Sequence, residues 1–177
     1  MDHAVRVKVC GPEDAELIAE VAETTFRETY AADTPPAEME RHVSLAFARG
    51  QIEQELAEPA SAFFLATVDG AVAGFLKINR GRAQSELRDD AGVEVESLYV
   101  LRRFQGQRIG RQLLDRALEE ARTGGASYVW LGVWERNEKA IRFWKRQGFV
   151  EFGAHPFRFG RVEHTDVMMR RELGAAA

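Results

Sequence analysis

The chain has a single cysteine, Cys10, in 177 residues. One thiol excludes an internal disulfide and any cysteine-rich metal site, so no metal is expected. The sequence also lacks a long apolar run; none approaches the ~20 residues of a membrane helix. Nothing at its N-terminus reads as a secretory leader. A cytoplasmic protein with no membrane partner is therefore expected. A basic surplus is missing too: 24 Lys and Arg stand against 28 Asp and Glu, a net charge of −4. That balance argues against a general nucleic-acid binder and suits a cationic substrate. There is no repeat and no break in composition. Residues 1–177 read as one domain, long enough to bury roughly two-thirds of its unfolded surface.

One stretch lacks acids altogether. Between Glu96 and Asp115 there is none, yet Arg102, Arg103, Arg108 and Arg111 all fall there. Leu98 to Leu101 is apolar and β-prone, as a buried strand should be. From Ile109 the apolar residues recur at helical intervals, through Leu113 and Ala117 and through Leu114, Leu118 and Ala121. Gly106 and Gly110 mark the junction, where backbone can approach a ligand closely. Cations in a first helical turn oppose the macrodipole by roughly 0.3–1 kcal/mol each. Any one of these arginines reads as a solvated surface charge. The cluster at a helix N-terminus reads as a site for a phosphate-bearing ligand.

The rest of the chain can be read in order. Val5 to Cys10 alternates as a strand. Gly11-Pro12-Glu13-Asp14 opens a helix that fades near Tyr30. Met39, Val43 and Phe47 stripe a second helix, which Gly50 is expected to break or kink before Ile52 to Leu56. Phe63 to Ile78 is a hairpin, with Asp69-Gly70 favouring a type I′ turn. Arg80 to Gly92 reads as a polar surface loop near the acceptor. Val93 to Val100 is the central strand, and the helix after it ends near Gly124-Gly125. Tyr128 to Trp134 is almost wholly apolar, as a strand covered on both faces would be. Strand, helix and strand from Leu98 to Val133 imply a parallel pair with a right-handed crossover. Asn137 is a good N-cap and Gly148 a good C′ residue for the next helix. Phe149 to Phe152 and Glu163 to Arg171 look like final strands, and Gly174 to Ala177 like a frayed tail.

Two of these stretches carry a family resemblance. Gln105-Gly106-Gln107-Arg108-Ile109-Gly110 resembles the Q/R-x-x-G-x-G/A pyrophosphate loop of the GNAT family of N-acetyltransferases, with Arg108 where that family usually has its first glycine. Trp130 to Phe149 resembles the family's second signature, an asparagine, a helix and Gly-Phe. With Gly153-Ala-His-Pro-Phe157 and Thr165-Asp166, the match is to bacterial spermidine/spermine N-acetyltransferases of the PaiA kind. The resemblance implies an α/β (α+β) fold: a central mixed sheet of about seven strands, flanking helices, and a parallel strand pair at the acetyl-CoA site. It implies that Leu98, Tyr99 and Val100 meet the pantetheine arm of acetyl-CoA. The segment from Gln105 through Gly106, Gln107, Arg108, Ile109 and Gly110 to Arg111 would hold the pyrophosphate, with Asn137 and Lys145 along the thiol end and its flank. The first two helices would wall the acceptor, making Phe26, Glu28 and Tyr30 candidate substrate contacts. Plain packing of Phe26 and Tyr30 fits them as well.

Acetyl transfer needs a neutral amine. Deprotonating a lysine-like amine at pH 7 costs roughly 4.6 kcal/mol, so a carboxylate base is the natural requirement. By the period of two, Glu94 and Glu96 share a strand face with Leu98 and Val100, which makes them the candidate bases. An ion pair or an exposed strand end fits these acids equally. The relatives' tyrosine acid is replaced in the step Phe143-Trp144-Lys145, and water or Tyr30 would have to serve in its place. A polycation could meet Glu28, Asp33, Glu94, Glu96 and Asp166. The reading is therefore an acetyl-CoA-dependent enzyme acting on a small-molecule primary amine, a polyamine or similar, and compatible with a homodimer. A protein or peptide N-acetyltransferase and a non-catalytic acyl-CoA-binding module are the alternatives.

Overall fold

The computed structural model describes residues 3–174; the tail from 175 on lies outside them. Strand β1 (Val5–Val9) leads through the turn Pro12–Asp14 into helix α1 (Ala15–Tyr30). The Asp14 carboxylate accepts from the Gly11 amide at 3.0 Å and so fixes the helix start. Helices α2 (Pro36–Ala46) and α3 (Arg49–Ala57) follow. The break between them falls before Gly50, at Phe47-Ala48, where Ala48 is extended (φ −60, ψ 140). Gly50 sits inside the first turn of α3, so its lack of a side chain is not what ends α2.

Strands β2 (Ser61–Val68) and β3 (Ala71–Arg80) form the expected hairpin. Asp69 and Gly70 at its tip have φ of 50° and 86°, the left-handed pair of a type I′ turn. Then come β4 (Gly92–Val100), α4 (Ile109–Thr123), β5 (Tyr128–Trp134), α5 (Glu138–Arg146), β6 (Val150–Phe159) and β7 (Val162–Glu172). The Asn137 side chain caps α5 by accepting from the Ala140 amide at 3.2 Å. Strand β6 runs well past Phe152 and contains Pro156. As the edge strand it can carry a residue with no N–H to donate.

The seven strands make one mixed sheet in the order β1-β2-β3-β4-β5-β7-β6. Among the described residues, only β4 and β5 run parallel. One face carries α4 and α5, with Ile109, Leu113, Leu114 and Trp144 packed on Leu76, Ile78, Val95 and Leu131. The other carries α1 and α3, with Ile18, Val21 and Ile52 packed on Phe63, Leu65 and Phe75. Toward the end covered by α1 and α2, Phe26, Tyr30 and Trp134 form a separate aromatic cluster. Among the described residues, no helix is long and apolar enough to cross a membrane.

The central strand departs from strict alternation. Lys77 on β3 pairs with Ser97, but the next residue, Ile78, pairs with Val95. Glu96 is therefore a bulge, one extra residue with no partner on β3. This corrects the period-two expectation. Val93 and Val95 lie with Leu98 and Val100 on the α4 face. The carboxylates of Glu94 and Glu96 lie on the opposite face, bonded to Asn79 and Lys77. Pairing of β4 with β5 is confined to Gly92–Tyr128, Val93–Val129 and Glu94–Trp130, and beyond that point the two strands part.

Glu94 serves the fold. It is 4% exposed and accepts from Asn79 Nδ2 at 3.0 Å, from the Ser85 amide at 2.9 Å and from the Ser85 hydroxyl. The polar segment after Arg80 is thereby stitched down rather than lying loose on the surface. Gln84, 1% exposed, accepts from Trp130 Nε1 at 2.7 Å, and Asp89 accepts from the Tyr128 hydroxyl at 2.8 Å.

Candidate active site

The parting of β4 and β5 opens a cavity of about 1410 Å³. A pocket for one drug-sized ligand is ~300–1,000 Å³, so this one has room for two reactants side by side. The strand-to-helix junction lines one end. Leu101 donates its amide to the Ala73 carbonyl at 2.8 Å, so its backbone groups face β3. Alternation then turns the groups of Tyr99 to β3 as well, and those of Leu98 and Val100 into the opening. The Val100 carbonyl already accepts from Gln105 Nε2 at 3.1 Å, and Gln105 Oε1 takes Lys139 Nζ at 2.6 Å. Tyr99, expected to meet the pantetheine arm, turns its backbone to β3 and its ring to the other face of the sheet, stacked 5.9 Å from Phe75, and lines the cavity from there.

Past Gln105 the backbone turns into α4 through two left-handed residues, Gly106 (φ 82) and Arg108 (φ 62). The first amides of α4 have no intrahelical partner, and the residues that carry them line the opening. Gly106, Arg108, Ile109, Gly110 and Arg111 line it, whereas Gln107 does not. Arg108, Lys139 and Arg146 line it without a carboxylate within 4.0 Å among the described residues, while Arg111 pairs with Asp115 at 3.1 Å. This end of the cavity is therefore cationic. Asn137 lines it while capping α5. Lys145 does not; its ammonium pairs with Glu151 at 3.2 Å.

Arg108 carries backbone strain that glycine would not, roughly 1–2 kcal/mol for a left-handed residue with a Cβ. We expect Arg108→Gly to unfold no more easily than the native chain, because relief of strain offsets glycine's larger unfolded entropy. Its affinity for CoA should fall several-fold through loss of one unpaired cation. Arg108→Ala should lose the same affinity while keeping the strain, because alanine also carries a Cβ. Thermal unfolding and calorimetry check this, and a glycine variant less stable than the alanine one would contradict it.

The other end of the cavity is aromatic and acidic. Tyr30 lies 4.6 Å from Phe26 and 5.0 Å from Trp134, ring centre to ring centre. Both Phe26 and Tyr30 therefore pack and line the cavity at once. Glu28 also lines it, but its carboxylate accepts from the Arg102 amide at 3.1 Å, which ties α1 to the turn after β4. Lys77, missed by sequence reasoning, is the centre of this end. A charge inside the apolar run Phe75-Leu76-Lys77-Ile78 was the signal for it. Its ammonium sits between Glu55 at 2.6 Å and Glu96 at 2.5 Å. Burial works against the ammonium, but the two carboxylates outweigh it and raise its pKa above the usual lysine range. Of the two expected bases, Glu96 lines the cavity, on the acceptor side of the sheet, and Glu94 does not.

No ionisable side chain replaces the expected tyrosine acid at its own position. Trp144 is 6% exposed, edge-on to Phe143 and Phe149 at 5.0 Å. Tyr30 is a poor stand-in. Burial and the nearby Tyr99 and Asp166 push its phenol far above the ordinary value, and it bonds to Tyr99. Tyr99 itself is lifted to about 12, by burial against a partly compensating bond from Tyr30. Burial and the Asp14 charge also lift the Cys10 thiol to about 12, so it is no nucleophile at neutral pH. A CoA thiol, with a pKa near 8.5, leaves as thiolate at a cost of about 2 kcal/mol at pH 7, so direct departure is affordable.

A mixed sheet that opens between two parallel strands onto a helix N-terminus defines a class, the GNAT acetyltransferases. The acetyltransferase (GNAT) family model matches residues 22–149, and the chain belongs to that family. It is an N-acetyltransferase by that membership. An uncharacterised N-acetyltransferase of Lactobacillus delbrueckii subsp. lactis is 35% identical over 167 residues, 94% of this chain and 96% of that one. An aminoalkylphosphonate N-acetyltransferase of Salmonella typhimurium is 34% identical over 108 residues, 60% of this chain and 66% of its own. Among solved structures, the PaiA N-acetyltransferase of Thermoplasma acidophilum in complex with coenzyme A superposes with a TM-score of 0.79. It shares 19% identity, covering 96% of this chain and 99% of that one, and so supports the fold alone.

Proposed function

We propose that this N-acetyltransferase transfers an acetyl group from acetyl-CoA to the primary amine of a small molecule, a polyamine or a similar alkylamine. The observation that carries this reading is the polarity of the cavity. Unpaired cations and free helix amides line one end, and carboxylates and aromatic rings the other. Acetyl-CoA supplies an activated acyl carbon and a thiolate leaving group. The α4 amides with Arg108 would hold its phosphates, and the backbone of Leu98 and Val100 its pantetheine arm. Gln105 would have to release the Val100 carbonyl for that arm to bond it. The acceptor's ammonium would enter from the side of Glu96, Tyr30 and Trp134.

Release of free CoA at fixed acetyl-CoA, across a panel of amines and peptides, tests this. Turnover with spermidine or spermine should rise from about pH 7 to 9 as the amine deprotonates, and fall with salt as charge attraction is screened. CoA release with a peptide amine but with no small amine would leave the family and cofactor standing and remove the small-molecule acceptor.

A further inference from the structure

A further carboxylate stands at the acceptor end. Asp166 on β7 lies opposite Trp134 of β5 and His155 of β6. Its carboxylate lines the cavity, and its Oδ1 is enclosed with no hydrogen-bond partner among the described residues. An enclosed carboxylate oxygen without a donor burdens a fold unless a ligand brings one. Glycine at 132 keeps clear the space beside the other carboxylate oxygen, Oδ2. A methyl group there would come within 3.2 Å of Asp166 Oδ2 and 3.3 Å of His155 Nε2. Rings stand around this opening, with Tyr30 5.0 Å from Trp134 and 6.1 Å from Phe157.

We propose that Asp166 anchors the acceptor's ammonium and takes its proton, with Gly132 leaving room for the nitrogen beside Oδ2 and the Tyr30 and Trp134 rings against the acceptor's hydrocarbon chain. This deepens, and rests on, the small-amine reading above. The alkylammonium gives one proton to the carboxylate, leaving a neutral amine and an Asp166 carboxylic acid. The nitrogen bonds to the acyl carbon as the carbon–sulfur bond breaks. Its second proton goes to the CoA sulfur, and Asp166 returns the first to water.

The charged surroundings fit that role. His155 on β6, with Glu86 3.7 Å from it, faces Asp166 from one side. Tyr99 and Glu96 stand on β4 and Tyr30 on α1; His164 is on β7. Arg136 and Asp33, 3.8 Å apart, lie at the rim. Burial raises the Asp166 pKa, and His155 only partly opposes it, which makes the carboxylate a better base for an amine. Lys77, the buried cation at this end, is already held by two carboxylates. Acceptors bearing an acidic group beside the amine are therefore disfavoured.

The test compares wild type, Asp166→Asn, Gly132→Ala and Glu96→Gln in steady-state kinetics with butylamine and spermidine, from about pH 6.5 to 9, with acetyl-CoA affinity measured by calorimetry. Asp166→Asn should lower kcat/KM for the amine about 100-fold, leave acetyl-CoA affinity unchanged, and make the rate follow the free amine alone. Its thermal midpoint should hold or rise, because a carboxyl raised by burial weakens the fold as pH rises through its folded pKa. Gly132→Ala should raise KM for the amine about tenfold with acetyl-CoA affinity unchanged. An unchanged kcat/KM in Asp166→Asn, a large loss in Glu96→Gln alone, or an unchanged amine KM in Gly132→Ala overturns the assignment. So does a loss in Asp166→Asn accompanied by a lower midpoint and weaker acetyl-CoA binding, the mark of a structural role. If wild type acetylates only a peptide amine, the small-molecule reading falls, and the same kinetics on that peptide decide Asp166. If it acetylates no amine, both fall.

Discussion

Replacing Gly110 with valine is expected to weaken CoA binding about 100-fold while leaving the fold as stable as before. Gly110 lies in the first turn of α4 and lines the cavity. A Cβ there would meet Phe143 at 3.7 Å and Leu98 at 3.9 Å, ordinary contact distances, so one methyl fits. The two further carbons of valine have to occupy the space beside the free amides, where a phosphate would approach. Folding gains a few tenths of a kcal/mol, because valine is a better helix residue than glycine. Binding and stability should therefore separate cleanly in calorimetry and denaturant unfolding. Undiminished CoA affinity in a folded Gly110→Val protein would remove the loop from the binding site.

Lys77→Met should cost more stability than any other substitution proposed for this protein. Removing one partner from a buried ion pair commonly costs about 3–5 kcal/mol. The Glu55 and Glu96 side chains are 27% and 37% exposed. Water can therefore screen them, and we expect about 2–3 kcal/mol. The pH dependence gives a second check. Native Lys77 has a raised pKa, so its contribution is complete at neutral pH and is lost only as pH climbs through that raised value, above about 10.4. In the methionine variant two carboxylates face each other, and protonating one relieves them. The deficit should therefore shrink from pH 7 toward pH 4 in denaturant titrations. A deficit that is small at pH 7, or that does not change on acidification, would show that the three groups are not coupled as described.

The parts of this protein legible in its sequence are those that local chemistry dictates. The stripe of α4, the Asp69-Gly70 turn, the Asn137 cap and the unbroken apolar β5 each follow from neighbours a few residues apart. The cationic lining of one end of the cavity was legible for the same reason, because one strand, one turn and one helix start build it. The acceptor end was not. It assembles α1, α2, α3, β3, β4, β5, β6 and β7, and no local pattern says that Lys77 meets Glu55 or that Asp166 sits behind Gly132. Glu94 and Glu96 were misplaced by one assumption, that the strand keeps step throughout. The extension of β6 past Phe152 stayed hidden because Pro156 ordinarily argues against a strand, and only its edge position permits it.

The bulge at Glu96 makes β4 behave like a reading frame with a single shift in it. Upstream of the shift, odd positions such as Val93 and Val95 feed the core beneath α4, and even positions carry the acids of the acceptor side. Downstream, the even positions Leu98 and Val100 take over the α4 side, and Tyr99 turns to the acceptor. One continuous strand thus serves the two faces of the sheet in two phases. Substitutions along it change one face at a time, but gaining or losing a single residue between Glu94 and Leu98 would exchange the faces of everything on one side. Length is therefore a stricter constraint on this strand than composition.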